Sequence, residues 1–389
     1  MALPSLRPAA STQAGSTVRR WASRGLTTVA AAAMALGAAA SAAASPSATF
    51  DDTAYVSGTV YAIAYSGDRI FIGGDFTAVG GQPRSNAAAL RPDGRLDPTW
   101  QPNPDGIVRA IAASTDGSRI FLGGEFLNAG GAPRSKLAGV DAITGAALPD
   151  WTTTANGDVL ALAVSGNRVY AGGRFTEIGG VANRRLVAID ATTGVVNNTT
   201  FRPRPDWTVR GVGVSPDGSK VYAVGGFALI GGATRPGAAE VSAANGLATA
   251  FNPVVANGGV VLSMTLTPDG SRFFFSTESN RIYAYTPATS NTPIYAIQTG
   301  GDTQAMAASA TELYFGGHFQ RLNDFRVERS RIASVYVASG TPTDWNPGVD
   351  GLMGVWAIAI GTTSVSIGGD FAHVGGVWQR GFARFSGTP

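Results

Sequence analysis

The stretch IFIGGDFTAVGG, from Ile70 to Gly81, decides the fold because it recurs along the chain. Similar stretches are IFLGGEFLNAGG, VYAGGRFTEIGG, VYAVGGFALIGG and VSIGGDFAHVGG, with a partial copy in LYFGGHFQRLND. The glycines and the aromatic residue are kept, while the residue before the aromatic changes. A repeated frame with one changing position predicts a repeat architecture that displays a variable surface.

A second aromatic residue marks the period of this repeat. It starts seven units, near residues 50, 100, 151, 201, 251, 295 and 345. Each unit reads as four short antiparallel strands separated by glycine-rich or proline-containing turns, and no helical periodicity follows residue 44. The sequence therefore predicts an all-β protein, a single seven-bladed β-propeller over residues 45–389.

The two ends of the repeat region predict how the ring closes. The last unit stops after its third strand, GFARFSG, while the segment from Phe50 aligns with the start of that unit. We expect this N-terminal segment to pair into the last blade as its fourth strand, which leaves no free sheet edge. The unit from Phe251 to Ile294 lacks the glycine loop and is the degenerate copy.

Residues 1–44 differ in composition from the rest of the chain. They contain four arginines and no acidic residue, followed by an alanine-rich apolar run from Leu26 to Ala44. This layout is typical of a bacterial secretory signal cut near Ala42 or Ala44, and it predicts a secreted protein. An uncleaved anchor is the alternative, and the export route, general or twin-arginine, stays open.

Charge and cysteine content narrow the function classes. The chain has 29 basic and 26 acidic residues, and removal of the four leader arginines leaves the mature part close to neutral. We therefore predict no nucleic-acid partner and no membrane span after signal removal. The absence of cysteine excludes disulfides and thiolate metal sites. We predict a monomer without a cofactor.

The repeat resembles a known family. FIGGDFTAVGGQPRSNAAAL, FLGGEFLNAGGAPRSKLAGV and AGGRFTEIGGVANRRLVAI are similar to the delta-60 repeats of bacterial β-propellers of unknown function, which are common in secreted actinobacterial proteins. The resemblance covers residues 50–389 and implies the propeller fold and export. It brings no catalytic residues. VDAITGAALPDW is similar to the tryptophan-docking repeat of quinoproteins, but nothing resembles their cofactor pocket.

Two variable registers lie beside loops that a propeller opens on one face. The first follows the valine that starts each first strand and consists of Tyr61, Arg109, Leu160, Arg210, Leu262, Gln304 and Trp356. The second precedes the repeated Phe and consists of Asp75, Glu125, Arg174, His318 and Asp370. Variation on a constant frame indicates recognition. We predict ligand contact by ten residues: Tyr61, Asp75, Arg109, Glu125, Arg210, Gln304, His318, Trp356, Asp370 and Trp378.

The acidic members of these registers allow two interpretations. With His318 nearby, they could hold a cation or act as acid and base. They could instead pair with a repeated arginine at the start of strand three, as Asp75 with Arg84 across one hairpin. The arginines in question are Arg84, Arg134, Arg184, Arg235, Arg331 and Arg380. We favour pairing and predict no metal site.

The sequence thus predicts a secreted binding module for a cell-envelope glycan or another extracytoplasmic protein. The alternative is an extracytoplasmic lyase or hydrolase that uses His318 and Asp370, and this requires the two side chains to meet in a cleft. A purely structural ring, with every charge paired and its channel closed, is the third possibility.

Overall fold

The computed structural model describes residues 45–255, 259–324 and 326–389, and the predicted signal segment 1–44 lies outside these residues. In this part of the chain all regular structure is β, in antiparallel sheets of neighbouring strands. Alternating small and β-branched residues favour the extended backbone, and Gly or Asn at positive φ closes the turns. Within the described residues, no helix could cross a membrane.

Strands β1 to β20 build the first four large sheets, together with small two-stranded hairpins. Sheet 1 comprises β1 (Val56–Ser66), β2 (Arg69–Val79), β3 (Gln82–Pro83) and β4 (Ala87–Leu90). Sheet 2 and its hairpin comprise β5 (Val108–Ala113), β6 (Arg119–Gly124), β7 (Asn128–Ala129), β8 (Ala132–Pro133) and β9 (Leu137–Asp141). Sheet 3 and its hairpin comprise β10 (Val159–Ser165), β11 (Arg168–Gly173), β12 (Glu177–Ile178), β13 (Val181–Ala182), β14 (Leu186–Asp190) and β15 (Val196–Asn197). Sheet 4 and its hairpin comprise β16 (Val209–Val214), β17 (Lys220–Gly225), β18 (Leu229–Ile230), β19 (Ala233–Thr234) and β20 (Ala238–Ser242).

Strands β21 to β34 build three more large sheets. Sheet 5 comprises β21 (Val261–Leu266), β22 (Phe273–Thr277), β23 (Arg281–Tyr285) and β24 (Tyr295–Gln298). Sheet 6 and its hairpin comprise β25 (Thr303–Ala308), β26 (Glu312–Gly317), β27 (Arg321–Leu322), β28 (Val327–Glu328) and β29 (Ile332–Tyr336). Sheet 7 and its hairpin comprise β30 (Val355–Ile360), β31 (Ser364–Gly369), β32 (His373–Val374), β33 (Val377–Trp378) and β34 (Phe382–Ser386).

The first strands of neighbouring sheets lie side by side. Their contacts run from β1 through β5, β10, β16, β21 and β25 to β30, and β30 also contacts β1. The second strand of each sheet is buried throughout most of its length, because apolar side chains cover both of its faces. The core therefore consists of apolar layers between adjacent sheets.

The repeated glycine pair is explained by close approach. A side chain at Gly73 would meet Cγ1 of Val108 in sheet 2 at 2.5 Å, and one at Gly74 would meet the Thr59 carbonyl oxygen at 2.0 Å. The first glycine thus lets the next sheet pack closely, and the second admits the backbone of the first strand. Both requirements recur in sheets 2, 3, 6 and 7, whereas sheet 4 keeps only the second glycine, Gly225, and sheet 5 has Ser276 and Thr277 in place of the pair.

The aromatic residues that mark the period are packing residues. The Trp100 ring lies 5.0 Å from that of Phe71 in sheet 1, and its Nε1 donates a 3.1 Å hydrogen bond to the Asp141 carbonyl of sheet 2. Trp151 repeats this arrangement between sheets 2 and 3, with Phe121 and the Asp190 carbonyl. Trp100 and Trp151 thus each join two adjacent sheets through apolar contact and one hydrogen bond, while Phe201 and Phe251 can contribute apolar contact alone.

Two details of the predicted four-stranded unit are wrong. A fourth strand after the third forms only in sheets 3 and 5, whereas sheets 1, 2, 4 and 6 have a single bridge there, as between Val140 and Ala147. Prolines and Asx turns in this segment leave few N–H groups free for a ladder. The glycine loop, in turn, forms a small hairpin of its own in sheets 2, 3, 4, 6 and 7.

The N-terminal segment lies along the last strand, β34. Asp51 N donates to Arg384 O at 2.8 Å and Ser47 N to Ser386 O at 2.9 Å. The segment has no assigned strand, because Pro46 lacks an N–H and the Asp51 carboxylate instead accepts from the Arg384 and Ser386 side chains. It therefore contacts the edge of sheet 7 in an irregular conformation.

Candidate functional site

A β-bulge interrupts the first strand of every large sheet at the same point. The pairing register shifts between residues 60 and 62 in β1, between 108 and 110 in β5, and at the corresponding places in β10, β16, β21, β25 and β30. The extra residue in each bulge is a member of the first variable register: Tyr61, Arg109, Leu160, Arg210, Leu262, Gln304 and Trp356. Bulges redirect a side chain away from the strand's normal alternation. The sequence identified this register but gave no sign of the bulge.

A cavity of about 230 Å³ opens among the first strands, and all seven of them contribute to its lining. Four predicted ligand residues line it, namely Tyr61, Arg210, Gln304 and Trp356. The rest of the lining is apolar or small, with Ala62, Gly211 and Met264 among it. A concave apolar site with few polar groups is the usual form of a ligand pocket.

An aromatic pair forms one side of this cavity, and an arginine outside the lining packs against it. The rings of Tyr61 and Trp356 meet edge to face, with centroids 5.4 Å apart. The Arg109 guanidinium lies 4.3 Å from the Tyr61 ring centroid and pairs with Glu125 at 2.8 Å. Four of the ten predicted residues are therefore joined by direct contacts.

Arg210 supplies positive charge on the other side of the cavity. Its side chain is exposed, and no carboxylate of the described residues lies within ion-pair distance of it. Partial desolvation, and then the nearby Arg174, lower the pKa of Arg210, while Glu278 raises it. Arg174 itself pairs with Asp158 at 3.3 Å.

Gln304 and His318 carry buried polar atoms without partners. Gln304 Oε1 and His318 Nδ1 both lack a hydrogen bond among the described residues. The two residues occupy the positions in sheet 6 that Arg109 and Glu125 occupy in sheet 2, where the side chains bond to each other. Unsatisfied buried atoms of this kind are uncommon in folded proteins and mark a place where a ligand or water can bond.

Asp370 and Asp75 are not brought to the cavity lining. The Asp370 carboxylate accepts hydrogen bonds from Met353 N at 3.0 Å and Gly354 N at 2.6 Å, so it holds a loop. Asp75 is exposed beside Thr59. No hydrogen bond or ion pair joins His318 to Asp370, and the described residues contain no group of three or more His, Asp or Glu that could hold a metal.

Trp378 lies on the hairpin of sheet 7, outside the cavity lining. It is 54% exposed, and its ring meets that of Tyr55 at 4.9 Å. Across the hairpin from Trp378, His373 Nδ1 lies 2.7 Å from Asp350 Oδ2. The other carboxylate oxygen, Asp350 Oδ1, accepts a hydrogen bond from the backbone N–H of His373 at 2.9 Å. Hydrogen bonds to the His373 backbone and side chain, working against desolvation, lower the pKa of Asp350.

The predicted pairing of Asp75 with Arg84 is wrong. Arg84 is buried and donates to two carbonyl oxygens, Pro83 O at 2.7 Å and Pro98 O at 3.2 Å. The same two hydrogen bonds, to the carbonyl of the preceding residue and to that of the residue 14 positions later, are donated by Arg134, Arg235 and Arg329. The arginines thus tie the small hairpin to the segment after strand three. Three predicted members, Arg184, Arg331 and Arg380, lie beside the actual positions, which Asn183, Arg329 and Gln379 occupy.

A larger cavity lies elsewhere, along sheet 3. It measures about 700 Å³ and includes Tyr170, Asp190 and Asn197 in its lining. The Asp190 carboxylate is engaged by the backbone N–H groups of Thr192 and Thr193, and Asn197 bonds to Thr200. Its polar groups are therefore used within turns, and none of the ten predicted residues lines it.

Comparison with known proteins agrees with this architecture. A family model described as "Domain of unknown function (DUF5122) beta-propeller" matches residues 68–99, which run from the end of the first turn of sheet 1 to the residue before Trp100. None of the curated proteins matches the chain. A β-propeller domain of unknown function is indicated.

Proposed function

We propose that the protein is an exported, seven-bladed β-propeller whose ring is closed between sheets 7 and 1. Two contacts support closure. A side chain at Gly368 would meet Val60 Cγ1 at 2.5 Å, which repeats the Gly73–Val108 approach of sheets 1 and 2. Tyr65 Oη lies 2.7 Å from Ser366 Oγ, also between sheets 1 and 7. The delta-60 and actinobacterial resemblance is part of this proposal, as are secretion and a monomeric state.

The function that the geometry supports best is ligand binding at the cavity. The observation that carries it is the bulge in all seven first strands, since five of the seven bulge residues line one cavity. The frame around each bulge is constant, so the variation falls on the residues that a ligand would meet.

A cell-envelope glycan is the ligand class that these residues fit. The cavity presents the aromatic side chains Tyr61 and Trp356 together with an arginine and an amide that lacks a partner. Aromatic surface packs against the apolar face of a sugar ring, while Arg210 and Gln304 can bond hydroxyl or carboxylate oxygens. The volume of about 230 Å³ suits one ring at a time, so the rest of a glycan would lie across the rim.

The enzyme alternative has less support from the geometry. Acid–base chemistry by His318 and Asp370 needs the two groups within hydrogen-bonding reach of one substrate. Asp370 uses both carboxylate oxygens on backbone N–H groups, and its side chain is not part of the cavity lining. We therefore propose a binding module without catalysis.

The test is a binding screen on the exported protein with purified neutral and acidic oligosaccharides of bacterial envelopes. Tyr61→Ala, Trp356→Ala and Arg210→Ala are each expected to weaken binding at least tenfold. Trp378→Ala is the matched control, because it removes an exposed tryptophan outside the cavity lining. Binding that is lost in Trp378→Ala and kept in Trp356→Ala would place the site on the hairpin and refute the cavity.

A further inference from the structure

A buried carboxylate lies beside the start of the propeller domain. The Ser45 hydroxyl donates to Oε1 of Glu312, the first residue of β26. Glu312 is only 2% exposed, and its buried Oε2 has no hydrogen-bond partner among the residues that the structure describes. Burial together with the neighbouring Glu312 carboxyl raises the pKa of Tyr314, which places a third polar group beside this site.

No cation of the described residues pairs with this carboxylate. Within residues 45–255, 259–324 and 326–389, no Lys, Arg or His lies within ion-pair distance of Glu312. The chain's comparable buried acid, Glu240, is 1% exposed and pairs with Lys220 Nζ at 3.0 Å. A buried carboxylate without a compensating charge is strongly destabilising. The contrast points to a missing cation at Glu312.

The chain around Ser45 is held in place. Pro46 is buried, Ser47 N donates to Ser386 O, and Trp345 Nε1 donates to Ser47 O at 3.0 Å. Standard covalent geometry keeps the α-nitrogen of a serine within about 3–4 Å of its own Oγ. Since the Ser45 hydroxyl bonds to Glu312, the Ser45 nitrogen lies one short side chain away from the Glu312 carboxylate.

The sequence before Ser45 fits a processing site. Ala42 and Ala44 provide the small residues one and three positions before a cut that most signal peptidases require. A cut after Ala42 satisfies the same pattern, so the sequence leaves both open. Only a cut after Ala44 creates a new charge at Ser45.

We propose that the leader is removed by hydrolysis of the Ala44–Ser45 bond, and that the new α-ammonium of Ser45 is the cation that pairs with Glu312. Water supplies the hydroxyl that completes the Ala44 carboxylate and the hydrogen that completes the Ser45 amine, which is protonated at neutral pH. The inference rests on the proposed export. It makes maturation itself the step that neutralises a buried charge and fastens the N-terminal segment to sheet 6.

The first test is the N-terminus of the exported product, expressed from the full chain in a bacterial secretion host. N-terminal sequencing and intact mass are expected to give Ser45 as the first residue. A start at Ala43 would overturn this inference and leave export standing. Retention of residues 1–44 in the secreted or membrane fraction would overturn both.

The second test separates the ammonium from the hydroxyl. Glu312→Gln is expected to lower the Tm of the exported protein by several degrees, and to change it far less in the full chain made without export, whose Ser45 nitrogen is an amide. Ser45→Ala, which keeps the ammonium, is expected to have a small effect in the exported protein. Equal losses from Glu312→Gln in both forms, or a loss from Ser45→Ala as large as that from Glu312→Gln, would overturn the pairing.

Discussion

The repeated arginine shows how a charged side chain is used here for structure. Arg329 is buried, and its two terminal nitrogens donate to Glu328 O at 2.9 Å and Thr343 O at 2.7 Å. Burial lowers the pKa of Arg329, and the carboxylate of Asp344 opposes that shift. The planar guanidinium holds its two terminal nitrogens in a fixed fork and so reaches two separate carbonyls, whereas the donors of lysine all lie on one nitrogen.

Arg329→Met is expected to destabilise the protein by about 2–3 kcal/mol, because the buried Thr343 carbonyl and the partly buried Glu328 carbonyl both lose a charged donor. Urea unfolding followed by tryptophan fluorescence measures this change. Arg184→Met serves as the control, since Arg184 is exposed beside the equivalent position of sheet 3. A loss at Arg184 as large as that at Arg329 would contradict the carbonyl-binding role.

The sequence could identify the recurrence of this arginine but not its partners. The predicted pairing with Asp75 assumed that opposite charges on one hairpin form an ion pair. Arg84 instead donates its hydrogen bonds to the backbone carbonyls of Pro83 and Pro98. The exact position was also missed in three units. In two of them Asn183 and Gln379 replace the arginine, and in the third the arginine that binds carbonyls is Arg329, two residues before the predicted Arg331. Side-chain partners depend on three-dimensional distances that a linear pattern does not contain.

The entry to the third strand has a conserved geometry within the repeat. Six sheets place a residue with positive φ there, two residues after the buried arginine position: Asn86, Lys136, Arg185, Gly237, Arg331 and Gly381. Its N–H bonds to the carbonyl of the repeated Phe, and its carbonyl accepts from the second glycine of the pair, as with Arg331, Phe319 and Gly317. The backbone conformation, not the side chain, is therefore what the fold requires.

Substitutions at Arg331 test this requirement. Arg331→Gly is expected to keep stability within about 0.5 kcal/mol of the wild type, because relief of the left-handed conformation offsets the greater entropy of the unfolded chain. Arg331→Val is expected to lose about 1–2 kcal/mol, since a β-branched residue at φ 64° is strained. Thermal unfolding of the two variants gives the comparison. Equal stability of the Gly and Val variants would show that φ at this position does not matter.

Strand prediction succeeded where the pattern is long and failed where it is short. The first three strands of each unit span several alternating apolar residues, and all are present. The segment around AALPDW has the composition of an edge strand, but a single bridge between Val140 and Ala147 is all that forms in sheet 2. The sequence pattern did not predict the seven bulges, because one extra residue changes a strand's register without changing its composition.

Acid stability is a property of the whole chain, since many aspartates accept hydrogen bonds in turns. Bonds from Ser114 and Ser118 lower the pKa of Asp116 to about 2, and bonds from Ser215 and Ser219 lower that of Asp217 to about 2. A carboxyl whose pKa is lowered by folding stabilises the protein above its unfolded pKa of about 4, and this contribution disappears as the pH falls toward the folded value.

We therefore expect the urea midpoint to be steady between pH 7 and 5 and to fall between pH 4 and 2. The double variant Asp116→Asn, Asp217→Asn is expected to be less stable at pH 7 and to lose less between pH 4 and 2 than the wild type. A wild-type midpoint that stays unchanged down to pH 2 would contradict this account.

Closure of the proposed ring makes the two chain ends interdependent. Gln379, at the arginine position of sheet 7, donates to Phe382 O at 2.6 Å and to the Thr53 hydroxyl at 3.2 Å. Arg384 pairs with Asp51 at 2.6 Å. The N-terminal segment thus takes, in sheet 7, the place that the chain after strand three takes in the other units, and it covers the outer edge of β34.

Deletion of residues 45–55, with the leader joined directly to Val56, is expected to expose that edge and lower the Tm by ten degrees or more. An uncovered strand edge pairs readily with other chains, so the variant is also expected to dimerise or aggregate, which size-exclusion chromatography with light scattering detects. Arg384→Lys keeps the segment but loses the planar contact with Asp51, and it is expected to cost about 1 kcal/mol with no change in mass. A deletion variant that stays monomeric with the wild-type Tm would mean that this segment does not complete sheet 7, and the closed ring would then have to rest on the contacts of Val60 and Tyr65 alone.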